Sequence, residues 1–240
     1  MSGAIRLFRF AGITVYLHFT WFIVAAYFVT SLSRHYADPI WAVYEYVALF
    51  AIVLSHEFGH ALACRSTGGI ADRIILWPLG GIAFVNPPPR PGAMLWSIAA
   101  GPLVNVALIP ILQLLVWLVS REVSPYQVSD AYRLVTEIRY INYGLLIFNL
   151  LPIYPLDGGQ IFRALLWFPF GRIRSLQVAS VVGLIGGTLL ALVALWWQSI
   201  WMAVLAFFLL SRAGSGWQHA RALVRQAEAA PVANEFVPPR

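Results

Sequence analysis

The chain has 240 residues, of which 60% are hydrophobic and 11% charged. Soluble domains run near about 45–50% apolar and about 25% charged, so this composition excludes an ordinary water-soluble domain, a disordered chain and a collagen-like fibre. A single cysteine, Cys64, excludes an intrachain disulfide and a cysteine-based zinc module. The net charge of +6 rests on 16 basic residues, all Arg and scattered singly, which excludes a nucleic-acid patch and makes them reporters of membrane topology instead.

Charge-free stretches mark the membrane. A span needs about 20 apolar residues to cross about 30 Å of hydrocarbon. No charge stands between Arg9 and Arg34, and a first span is expected over Ile13–Leu32. Its length, its aromatic residues and the lack of a small-x-small site argue against a signal peptide. A second span is expected over Ile40–Cys64, carrying Glu45, His56, Glu57 and His60. Ile74–Trp77 and Ile82–Val85 then flank Pro78-Leu79-Gly80-Gly81, the pattern of a β-hairpin. Asn86–Gly92, with four prolines, reads as a rigid loop. The third span is expected over Met94–Val119 and the fourth over Tyr140–Leu156, broken by Pro152 and Pro155 just before Asp157. Ser175–Ser211 would reach about 55 Å as one helix. Trp196-Trp197-Gln198-Ser199 therefore reads as an interfacial turn splitting it, with a short second half near Ile200–Ser211.

The expected fold is an all-α membrane protein of about six transmembrane helices, with a small membrane-associated β-hairpin between the second and third. Residues 1–212 form a polytopic membrane domain and 213–240 a polar cytoplasmic tail. Six spans put both termini on one side. Placing them in the cytoplasm leaves only Arg34, Arg121, Arg133 and Arg139 outside, as the positive-inside rule requires.

His56-Glu57-Phe58-Gly59-His60 is an H-E-x-x-H pattern within a predicted helix. Residues four apart share a helical face, so both imidazoles can hold one Zn²⁺ with Glu57 beside the reacting water. Ionisable groups are costly inside a membrane and mark function by default. Zinc needs a third protein ligand and one open position. Asp157, His18, His35, His219, Cys64 and Glu45 are candidates. Depth favours Asp157: His56 and His60 lie 16 and 20 residues from Ile40, and Asp157 lies 18 from Arg139. Gly158 and Gly159 follow, so the Asp157 carboxylate is expected on unwound backbone, which membranes tolerate mainly where it lines a cavity.

These residues resemble the site-2 protease family of intramembrane zinc metalloproteases. The resemblance rests on H-E-F-G-H, on Asn149-Leu150-Leu151-Pro152-Ile153-Tyr154-Pro155-Leu156-Asp157-Gly158, on Gly101-Pro102-Leu103-Val104-Asn105, on Pro78-Leu79-Gly80-Gly81 and on Gly12–His18. It covers about residues 10–165. It implies one zinc per chain held by His56, His60 and Asp157, with Glu57 as the catalytic glutamate. The implied substrate is a membrane protein cut within a transmembrane helix, in regulated intramembrane proteolysis at the cell membrane. No PDZ or CBS domain, which many relatives carry, is expected in this chain.

Asn105 and Asn149 are candidates to hydrogen-bond the substrate backbone or an oxyanion, or else neighbouring helices. An edge of the hairpin, with Gly80 and Gly81, is a candidate for holding an extended substrate by strand addition. The alternatives are an inactive zinc-binding homologue or a membrane zinc carrier. A carrier would need a site reachable from both faces, ideally within a repeat, and no repeat is present. The lipid bilayer is a partner, nucleic acid is not, and a homo-oligomer is left open.

Overall fold

The computed structural model describes residues 3–77, 80–121 and 129–229. Pro78 and Leu79 of the expected hairpin turn, and the last eleven residues of the expected tail, lie outside them. The chain divides into two compact units, Met1–Leu150 and Leu151–Arg240.

Among the described residues, the first unit holds a four-stranded sheet and four α-helices. Strand β1 (Ala4–Phe10) pairs antiparallel with β2 (Ile13–His18), β2 runs parallel to β3 (Ile70–Trp77), and β3 pairs antiparallel with β4 (Gly80–Asn86). The hairpin expected from the sequence is β3–β4, and the sheet extends it by two strands. Part of the expected first span is therefore strand: Ile13, Val15 and Leu17 are buried on one face while Thr14 and Tyr16 are half-buried on the other. This period-2 burial leaves helix α1 (Thr20–Leu32) with 13 residues, about 20 Å of rise. The β1–β2 turn places Ala11 and Gly12 at φ 47° and 78°. A two-residue hairpin of this twist needs positive φ at both positions, and glycine meets that need without a Cβ clash. The Arg65 guanidinium donates to the Ala11 carbonyl and ties the turn to helix α2 (Ile40–Ser66).

The inner residues of the sheet, Ile13, Val15, Ile74 and Leu76, pack with Val53, Ala61 and Cys64 of α2. Helix α2 stops at a glycine closure. Gly68 takes φ 84°, its N–H donates to the Arg65 carbonyl at 3.0 Å, and the Gly69 N–H donates to that of Cys64 at 3.0 Å. Helix α3 (Pro91–Ser120) starts on a proline, which loses nothing there because its N–H would have no helical partner. It crosses α2 closely: a Cβ on Gly59 would lie 2.7 Å from the Ala100 carbonyl oxygen. Helix α4 (Asp130–Leu150) is fastened at its start by the Asp130 carboxylate, which accepts the Ala37 and Asp38 N–H groups at 3.1 and 3.2 Å.

The second unit is a helical hairpin of α5 (Asp157–Trp196) and α6 (Ile200–Ala229). The turn falls where Trp196–Ser199 had placed it, with Gln198 at φ 51°. Helix α6 runs on well past Ser211. Trp196, Trp197 and Trp201 are exposed around the turn, as expected of an interfacial aromatic belt. Gly171 interrupts α5 at φ 77°. The loop Leu151–Leu156 lies against α5 and α6 where glycines make room. A Cβ on Gly183 would come within 2.4 Å of the Tyr154 carbonyl oxygen, and one on Gly216 within 2.9 Å of the Tyr154 ring.

Among the described residues, α2, α3, α5 and α6 are long and apolar enough to cross a membrane. The protein is an integral membrane protein.

The α2–α3 crossing makes a direct prediction. Gly59→Ala should destabilise the fold by about 1–3 kcal/mol, the usual cost of overpacking. Gly144→Ala on α4, whose Cβ meets nothing within 4 Å, should be neutral or stabilising by up to about 1 kcal/mol. Thermal unfolding in one detergent compares them, and equal melting temperatures would remove the close crossing from the account.

Candidate functional site

Helical geometry puts His56 and His60 on one face of α2, one turn apart, with Glu57 beside His56. All three are buried, at 5%, 6% and 7% relative exposure for His56, His60 and Glu57. The two Nε2 atoms face each other at 3.0 Å. The opposite ring nitrogens are both engaged. His60 Nδ1 lies 2.9 Å from the Ser97 backbone carbonyl, which can only accept, so Nδ1 carries the proton. His56 Nδ1 lies 2.6 Å from the Asn105 side-chain oxygen, also an acceptor. Both rings are therefore Nδ1–H tautomers with lone pairs on the converging Nε2 atoms.

Two lone pairs held this close repel unless a cation lies between them. Nitrogens bound to one tetrahedral zinc at about 2.0–2.1 Å stand about 3.3 Å apart, so the pair fits two ligands of one ion. Gly101 on α3 keeps the space beside them open. A Cβ there would stand 2.3 Å from His60 Nε2 and 2.7 Å from His56 Nε2. The residues present fit a zinc ion on geometry and on donor chemistry.

Glu57 is fixed from the sheet. Its Oε2 accepts the Ala83 N–H of β4 at 2.8 Å. The strand comes this near because Gly81 has no side chain, as a Cβ there would lie 2.2 Å from Glu57 Cγ. Asn105 is fully buried, and its amide is committed at both ends: the oxygen to His56, and the nitrogen to the Asn142 side-chain oxygen at 2.8 Å. Asn142 in turn donates to the Asn105 backbone carbonyl at 3.0 Å.

Asp157 is the first residue of α5, in the second unit, and it follows the irregular Leu151–Leu156 segment that its two prolines predict. A carboxylate is well placed at a helix N-terminus, where the helix dipole favours negative charge. Gln160 steadies this start, its side-chain nitrogen donating to the Pro155 carbonyl at 2.9 Å. Asn149 stands half-buried near the end of α4, and Gly80 opens β4.

The other expected candidates stand elsewhere in the fold. His18 Nδ1 lies 2.7 Å from the Thr20 hydroxyl, and its ring stacks on Trp77 at 4.2 Å. Cys64 is buried in the α2–sheet core. Glu45 accepts the Tyr36 hydroxyl at 2.5 Å. Burial, followed by that carboxylate, raises the pKa of the Tyr36 hydroxyl above its ordinary range. His35 lies in a short turn before α2, and His219 lies on α6.

Ser97, Ala83 and Asn142 were not among the sequence candidates. Ser97 and Ala83 act through backbone groups that no side-chain pattern reveals. Asn142 carried one signal, a polar amide within an apolar stretch, but its partner is 37 residues away.

The family model of Peptidase family M50 matches residues 44–139 and 123–193. A zinc metalloprotease of Methanocaldococcus jannaschii is 34% identical over 184 residues, covering 76% of this chain and 51% of the relative. Stage IV sporulation protein FB of Bacillus subtilis is 33% identical over 140 residues, covering 56% of this chain and 45% of the relative. The chain thus spans about half the length of these two curated relatives. The solved structure of the site-2 protease from Methanocaldococcus jannaschii superposes with a TM-score of 0.61 at 29% identity, covering 89% of this chain and 95% of that one. With its H-E-x-x-H helix, its paired imidazoles and a family match across residues 44–193, the chain belongs to peptidase family M50, the site-2 protease family of zinc metalloproteases.

Proposed function

We propose that this protein is a membrane-embedded zinc endopeptidase that hydrolyses peptide bonds within transmembrane segments of other membrane proteins. The observation that carries the reading is the buried His56–His60 pair with Glu57 anchored beside it, on a helix of membrane-spanning length. Asp157 is the proposed third ligand. Two imidazole nitrogens and one carboxylate oxygen are the donor set of a catalytic zinc with one open position.

Zinc in such a site supplies a Lewis acid for the scissile carbonyl and brings the pKa of a coordinated water to about 7. The chain's own groups do the rest. Glu57, anchored through Oε2 by the Ala83 N–H, takes a proton from the attacking water and passes it to the leaving amine as the C–N bond breaks. His56 and His60 keep their lone pairs on Nε2 because Asn105 and Ser97 hold the protons on Nδ1. A carbonyl inside a substrate helix is already hydrogen-bonded, so the substrate must unwind locally. Strand β4 is the last in the sheet order, and its Ala83 N–H points at Glu57. An extended substrate joining that edge would pass the carboxylate, with Gly80 and Gly81 allowing close approach and Asn149 hydrogen-bonding its backbone. The same reading includes about six crossings, two of them beyond the four helices that are long and apolar enough by themselves, cytoplasmic termini with 213–240 as a tail, a cell-membrane location and regulated intramembrane proteolysis. An inactive homologue would usually lack Glu57 or a ligand, and this chain carries all four groups.

Purified enzyme with a single-span peptide substrate tests this. Glu57→Gln should keep one zinc per chain and lose about 10²–10⁴-fold in rate; unchanged cleavage would refute the general-base role. Asp157→Ala should lose zinc along with cleavage, and full zinc retention would send the search for the third ligand elsewhere. Gly81→Ala should lower kcat/KM at least about tenfold, since about 1.4 kcal/mol of misplacement suffices, while zinc content holds. A Gly81→Ala enzyme of normal rate would show that β4 does not set the carboxylate.

A further inference from the structure

Asn142 belongs to none of the motifs read from the sequence, yet it is fully buried and joined to Asn105 by two hydrogen bonds. An asparagine amide can turn end for end, exchanging oxygen and nitrogen with almost no change in shape. If Asn105 turned, its NH₂ would face His56 Nδ1. The ring would then have to carry its proton on Nε2, where no metal could bind.

The turn is prevented by a one-way sequence of donors and acceptors. The Asn105 backbone carbonyl can only accept, so Asn142 must present its NH₂ to it, at 3.0 Å. That leaves the Asn142 oxygen facing Asn105, whose NH₂ must donate to it, at 2.8 Å. The Asn105 oxygen is then turned to His56 Nδ1, at 2.6 Å. Every polarity in the series follows from one backbone carbonyl of α3 and ends on the lone pair of His56 Nε2.

We infer that Asn142 is a positioning residue that fixes the tautomer of His56 through Asn105 and so sets the zinc affinity of the site. The effect on affinity rests on the proposed role of His56 as a ligand. The effect on tautomer does not, and it is read on metal-free protein. Partners of this kind typically change metal affinity about 10–100-fold when removed.

The experiment uses full-length protein in detergent micelles, labelled with ¹⁵N-histidine and stripped of metal, with His56 assigned by loss of its signals in His56→Ala. The parent should show His56 as a single Nδ1–H tautomer. Asn142→Leu, similar in volume, should show the Nε2–H form and bind zinc about 10–100-fold more weakly in competition with a chelator. Asn142→Asp in its protonated form can donate its O–H to the Asn105 carbonyl and still offer an oxygen to the Asn105 NH₂, so it should keep the parent tautomer. In an Asn105→Leu background, Asn142→Leu should cost no further affinity. The inference is overturned if Asn142→Leu keeps the Nδ1–H tautomer, if Asn142→Asp loses it, or if the two substitutions weaken zinc binding additively. Loss of zinc affinity in Asn142→Leu with the tautomer intact would mark a packing role and overturn it too.

Discussion

Two imidazole lone pairs held 3.0 Å apart in a buried site are the constraint around which the first unit is organised. Between two neutral rings alone the arrangement is unfavourable, because the lone pairs repel. It is favourable when a dication sits between them. The fold enforces it from outside, by acceptors that hold each proton on the far nitrogen. The Ser97 carbonyl does this for His60 and the Asn105 amide for His56.

Each surrounding element meets a demand of that pair. Helix α3 must come close enough to offer Ser97 and Asn105, and it does so where Gly59 and Gly101 carry no side chain. Helix α4 contributes Asn142. The sheet contributes the N–H that anchors Glu57, and its inner apolar residues pack on α2 below the site. A mobile carboxylate beside a metal would compete for it as a ligand. In the proposed mechanism, fixing Glu57 on β4 reserves its carboxylate for proton transfer.

Much of this was legible in the sequence because its signals are local. Two histidines four apart must share a helical face, and a long apolar stretch must cross or turn. Pro152 and Pro155 must end α4 before Asp157. Cys64 reads as a small buried apolar residue and is one. The less legible parts are non-local. Ile13–His18 alternates with period 2 for only six residues and adjoins an apolar helix, so it reads as part of a span until β3 is seen beside it. The backbone acceptor at Ser97 has no sequence signature. Asn105 stood out by its place in a motif, but its orientation depends on Asn142, 37 residues away. That pairing exists only once α3 and α4 are packed.

The claim that His56 and His60 share one ion is tested most directly by zinc K-edge X-ray absorption on the purified membrane enzyme. The account predicts a site of light ligands at about 2.0–2.1 Å, with the outer-shell scattering of two imidazoles. That scattering should fall to one imidazole when either histidine variant is loaded with excess zinc. A spectrum with sulfur in the inner shell, or with the same two-imidazole signal in both single variants, would contradict it.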